Sequence, residues 1–347
     1  KYLYPHMIIS RNSDVMKELE DRYGDQLPVV RGDFTPYWED GMASTAADTG
    51  ISRRAAERLV QAQNLWSMLD STAFPFTGFD TAWTDLIMYD EHTWGAWNSI
   101  SDPDSDFAMR QVAYKQQYAL RGNSETDSLL KGVTAQVAQP GSGVIEVFNT
   151  LNWERSGVVL LSAGQATPGD RVENSRGHAV PSQRLASGEL AFQAEDVPAF
   201  GSRRYRVVPG ETKTPRSIVR ASANHIENQW LAVTLDEQTG AIKKMMHHGI
   251  DANLVDQSRN FAVNDYRYIL GRDSSQNNMM IDTPVTIVIE DAGPLVATLR
   301  VESEAPGANS LVRRVRMTAD SDKVDLLNVV DKLKERQEAG AGSIADV

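Results

Sequence analysis

Downstream of residue 44 the hydrophobic period of this chain changes once, near Gly132, and that change limits its fold more than any other feature. Before it, apolar residues recur at the three-and-four spacing of helices; after it, they alternate with polar residues as strands require. A helical stretch followed by a long run of strands defines an α+β chain rather than a regular βα alternation. The chain has 347 residues. At roughly 100–200 residues per domain, that suffices for two or three domains with separate cores.

Beyond Gly132, Val144–Asn149, Leu231–Leu235, Val285–Ile289, Leu295–Val301 and Leu311–Met317 read as short strands, separated by Gly, Pro, Asn and Asp. Glu237-Gln238-Thr239-Gly240 is a hairpin connection, and the last strand ends near Leu333. Many short strands with such turns indicate an antiparallel β-sandwich. Arg313-Arg314-Val315-Arg316 reads as the solvated face of one strand.

In the helical stretch, Ala55, Leu59, Ala62, Trp66 and Leu69 are spaced 4, 3, 4, 3, the stripe of a packed helix over 52–69. A second helix begins near Asp80 and buries Trp83, Leu86 and Ile87. A third starts at Ser101-Asp102-Pro103-Asp104, where Ser and Pro are start signals, and buries Phe107, Val112 and Tyr118 or Ala119. Together they read as a three-helix bundle. Upstream, His6–Ser10 as a strand, Ser13–Leu19 as a capped helix and Leu27–Val30 as a second strand form one βα unit, which cannot cover both faces of a sheet alone. The expected domains are therefore 1–44, the C-terminal end of an α/β domain; 45–131, the bundle; and 132–347, a truncated sandwich. The architecture is multidomain α+β.

Net charge and cysteine content exclude several functions. The formal net charge is −12, which repels a phosphate backbone, so nucleic acid is not an expected partner. No run reaches the 18 or more apolar residues of a membrane span, so a soluble chain without a membrane partner is expected. There is no cysteine, so a thiolate zinc finger, a disulfide framework and a cysteine nucleophile are excluded, and a metal would be held by His, Asp or Glu. Gly-rich phosphate motifs and a Gly-x-Ser-x-Gly elbow are absent.

Two clusters carry chemistry. Tyr89-Asp90-Glu91-His92-Thr93-Trp94-Gly95 sets one His beside two acids and two aromatics at a helix end. A catalytic divalent ion needs such imidazole and carboxylate ligands; a solvated helix end is the alternative. Consecutive residues do not face one another, so Asp90, Glu91 and His92 cannot all grip one ion. Arg31–Gly41 follows a strand and combines Asp33, Tyr37, Trp38, Glu39 and Asp40. Aromatic platforms beside carboxylates suit a sugar, the alternative being a loop around a buried Trp. His6, His178, His225 and the pair His247-His248 offer less.

These segments resemble family 38 glycoside hydrolases, the retaining α-mannosidases of bacterial type. The residues that carry the resemblance are Leu27–Phe34, Tyr37–Gly41, Tyr89–Gly95, Val147-Phe148-Asn149 and Val197–Gly201. The resemblance implies an N-terminal α/β barrel, of which residues 1–44 would be a remnant, then the bundle and the sandwich. It implies zinc bound by a His-x-Asp pair, by an Asp nucleophile and by a further His, for which His92 is the counterpart. Trp38 matches an aromatic wall of the mannose pocket, with Asp33 and Asp90 as further substrate-binding residues. No His-x-Asp occurs in the chain, and Thr93 stands where animal-type members have Asp.

A retaining mechanism needs two carboxyl groups about 5 Å apart. No catalytic residue is assigned here, so the expectation is an inactive part of a mannosidase that keeps no zinc by itself and acts, when whole, on α-mannoside carbohydrate in a bacterial cytoplasm or periplasm. The alternative is a non-catalytic carbohydrate-binding or structural module. The uncovered N-terminal strands are expected either to drive homo-oligomerisation or to leave their segment poorly ordered.

Overall fold

A computed structural model describes residues 8–30, 45–92, 98, 102, 104–137, 143–216, 218–256, 262–269 and 278–333. His6, Asp33, Trp38 and Trp94 lie outside them. The chain divides into two units, Lys1–Glu39 and Asp40–Val347.

The described part of the first unit is helix α1, Asn12–Tyr23, followed by a short 3-10 turn, Gly24–Gln26. The Asp14 carboxylate accepts from the Arg11 backbone N–H at 3.4 Å and from the Arg11 guanidinium at 3.0 Å, closing the first turn. No residue of α1 is buried. The expected strands flanking it are not found: residues 8–10 and 27–30 carry no strand, and Ile9 is 103% exposed. A strand exists by pairing its N–H and C=O groups, and among the described residues these segments have no ladder partner.

In the second unit three helices share one core: α2, Ala46–Leu69; α3, Phe76–Tyr89; and α4, Asp106–Ala135. Ala55, Leu59 and Ala62 of α2 meet Phe79, Ala82 and Leu86 of α3 and Leu129 of α4. The Trp66 indole donates to the Leu129 carbonyl at 2.9 Å. Gly122 lets α4 approach α3, since a Cβ there would lie 2.6 Å from Leu86 Cδ2.

Two details of the expected helices are corrected. α4 begins at Asp106, with the Ser105 hydroxyl capping Ala108 N at 3.3 Å, later than the start signals at 101–104, of which Ser101 and Pro103 lie outside the described residues. Its inner face runs through Ala108, Lys115, Ala119, Gly122, Thr126, Leu129 and Val133, which leaves Phe107 exposed. In α3 the inner face is Phe79, Ala82, Leu86 and Tyr89, and Ile87 points outward.

The remainder is antiparallel sheet, in accord with the period change. Strands Val144–Asn149, Gly201–Val208, Arg171–Asn174 and Ala179–Val180 form one sheet, and Arg155–Leu161, Leu190–Val197 and Ser182–Arg184 another. They enclose Val172, Leu190, Phe192, Tyr205 and Val207. A second core, with Ile226, Val233, Leu235, Leu299, Val301 and Val315, lies between the sheet of Arg220–His247 and the four strands Thr286–Ala292, Val296–Ala305, Ala308–Thr318 and Asp325–Lys332. Gln183 joins the two parts: its carbonyl oxygen accepts from Leu295 and Val296 N–H at 2.8 and 2.9 Å, and its amide donates to Val296 O at 2.9 Å.

Arg313 contradicts the expected solvated strand face. It is 2% exposed, on the core side of its strand, and donates to the carbonyls of Thr239 and Asn264. These two carbonyls lie in partly buried turns, and the strand-borne guanidinium supplies each with a donor. Arg314 does face outward, as a bidentate partner of Glu290 at 2.7 and 3.0 Å.

Candidate functional site

The site grows from the C-terminal end of α3, where polar residues of three helices replace the apolar core beneath. α2 contributes Asp48, Thr49 and Ser52 along one stripe with its N-cap Thr45, α3 contributes Asp85 and Tyr89, and α4 contributes Lys115; all are buried. Each has a partner, as buried polar groups require. The Tyr89 hydroxyl bonds the Thr49 hydroxyl at 2.9 Å and donates to Thr45 O at 3.3 Å. Asp48 accepts from Gln116 at 3.0 Å, and Asp85 takes Arg121 in a two-point pair at 3.1 and 2.7 Å.

Lys115 closes the helix end. Its ammonium donates to Met88 O at 2.8 Å, to Glu91 O at 3.1 Å and to Glu91 Oε2 at 3.2 Å. A helix terminus leaves its last carbonyls without intrahelical partners, and a cation there also meets the negative end of the dipole.

Above this network stand Asp90 and His92, the described members of the expected site. Asp90 caps α3 and accepts from Ser52 at 3.4 Å. Although the residue is exposed overall, partial burial of its carboxyl raises its pKa above the ordinary value. Ser52, Lys115 and Arg53 oppose the shift. His92 pairs through Nδ1 with Glu91, and its side chain is 70% exposed.

Asp90 and His92 both follow the C-terminal end of α3, with different partners, Ser52 and Glu91, while Asp33 and Trp38 fall outside the described residues. Among the described residues, no group of three or more His, Asp or Glu could hold a metal ion. His92 offers one imidazole, and a complete zinc site does not follow from these residues.

The other segments that carried the resemblance meet elsewhere. Asn149 is buried, and its amide donates to Trp153 O, Val197 O and Pro198 O at 2.7, 3.1 and 3.1 Å. Val147–Asn149 and Val197–Gly201 therefore form one structural corner of the first sandwich. The remaining described histidines are peripheral: His225 bonds Thr234 at 3.0 Å, and His247 accepts from Gly249 N–H at 3.0 Å.

Lys115 went unnoticed in the sequence, though a signal existed. It stands seven residues after Ala108 and four before Ala119, on the stripe that α4 turns inward. A lysine on that stripe requires acceptors nearby.

A helical layer joined to antiparallel sandwich layers defines the fold class. Within that class, the chain is similar to the crystal structure of an α-mannosidase from Enterococcus faecalis V583, with a TM-score of 0.56 and 15% sequence identity. The match covers 93% of this chain and 46% of that one, so this chain spans about half the length of its structural neighbour. In sequence, no family model and no curated protein matches. Among the described residues no helix is long and apolar enough to cross a membrane.

Proposed function

We propose that this chain is part of a zinc-dependent retaining glycoside hydrolase of the family 38 type, acting on terminal α-mannosides. The observation that supports it most is the shared fold over 93% of the chain with a protein described as an α-mannosidase. The motif segments at 27–41 and 89–95 point the same way. On this reading residues 1–44 end a catalytic α/β domain, 45–131 are the three-helix bundle, and 132–347 belong to the sandwich.

His92 supplies one imidazole to the zinc site, whose other ligands lie outside this chain. Trp38 packs against the apolar face of the sugar, while Asp33 and Asp90 accept bonds from its hydroxyls. The nucleophile and the general acid come from elsewhere, so this chain alone does not turn over substrate.

The test joins the chain to an α/β catalytic domain and follows aryl α-mannoside hydrolysis. Turnover that depends on His92, with KM raised at least tenfold by Trp38→Ala while thermal stability is kept, is the expected result. Sugar binding without hydrolysis would favour a non-catalytic carbohydrate-binding module. Turnover by the 347-residue chain alone would refute the proposal.

A further inference from the structure

The two carboxylate oxygens of Glu91 meet groups of different kinds. Oε2 accepts from the Lys115 ammonium at 3.2 Å, and Oε1 pairs with Nδ1 of His92. The Lys115 side chain is only 8% exposed. An ammonium has three donors, and those of Lys115 go to Met88 O, Glu91 O and Glu91 Oε2. The same cation therefore holds Glu91 by its backbone and by its carboxylate. A carboxylate fixed in this way can only accept from the imidazole beside it. Among the described residues, Nε2 of His92 has no partner, and the ring faces solvent.

We infer that Glu91, anchored by Lys115, is a positioning residue that holds the neutral His92 ring with its proton on Nδ1 and presents the Nε2 lone pair outward. Neutral imidazole in water prefers the opposite tautomer, so the state is chemically distinctive. The tautomer of a His is set by what its other nitrogen bonds. The inference rests on the proposed function only for what Nε2 would meet; the tautomer itself exists without any ligand.

The experiment is nitrogen NMR on the chain labelled at histidine, at a pH where the ring is neutral, with His92→Gln to assign the resonance among six histidines. Nδ1 is expected in the protonated range and Nε2 in the unprotonated range. Glu91→Gln sharpens the test, because an amide has one acceptor oxygen. Lys115 claims that oxygen, the NH2 group turns to Nδ1, and the tautomer inverts.

A ring protonated mainly on Nε2, an even mixture, or a tautomer unmoved by Glu91→Gln would overturn the inference. Should Glu91→Gln fail to fold, the unmutated chain decides alone. A ring protonated on Nδ1 in a joined protein that cannot cleave mannosides would leave this inference standing and remove the proposed function. The reverse pair of results would do the opposite.

Discussion

Lys115→Met removes the ammonium under the end of α3 while keeping most of the buried side-chain stem. Three bonds are lost, two to backbone carbonyls and one to a carboxylate. Hydrogen bonds from charged donors contribute roughly 1.5–3 kcal/mol each. Two effects reduce their sum: the Glu91 side chain is 38% exposed and can rehydrate, and a buried ammonium carries its own desolvation cost. A net local loss of about 2 kcal/mol follows, or roughly 30-fold in the opening equilibrium at 1.4 kcal/mol per tenfold. Amide hydrogen exchange reads this directly, because the Asp90 N–H bonds Leu86 O at 3.0 Å in the last turn of α3. Exchange at Asp90 should accelerate roughly 30-fold, while amides around Leu59 in α2 keep their protection. Less than about threefold acceleration at Asp90, or equal acceleration in every helix, would refute the local role of Lys115.

Gly122→Ala should cost about 1–3 kcal/mol by overpacking against Leu86, read as a lower urea midpoint; combining it with Leu86→Ala should return part of the loss. Arg313→Met strands the Thr239 and Asn264 carbonyls and should lower stability by about 1–3 kcal/mol, with faster exchange in the 236–240 turn as the check. Glu290 has its pKa held below the ordinary 4.5, chiefly by the Arg314 bond. Its folded-state pKa is depressed, so its contribution is present above about 4.5 and lost as pH falls; Glu290→Gln should flatten that part of an acid-unfolding curve.

The period change near Gly132 fixed the order of helices before strands, because face burial in each element type demands its own spacing. Strand Val144–Asn149 and strand Leu231–Leu235 have the bounds their alternation implies, and the last strand among the described residues ends at Lys332, beside the expected Leu333. The polar run at 89–92, two acids followed by one His, was legible as the end of a helix, and α3 does end at Tyr89. Rotation of α3 and α4 was harder to read: Ile87 and Phe107 are as apolar as their buried neighbours, and only the facing helices decide which side is covered.

Pairing decided the rest. Apolar runs at 8–10 and 27–30 have strand-like composition but no ladder partner among the described residues, and no local sequence supplies one. Arg313 and Lys115 are charged residues in the interior because carbonyls from distant turns and from a neighbouring helix end converge on them. Sequence alone determines which faces seek burial. Which cations can be buried depends on where the chain's unpaired acceptors come together, and that is a property of the tertiary structure.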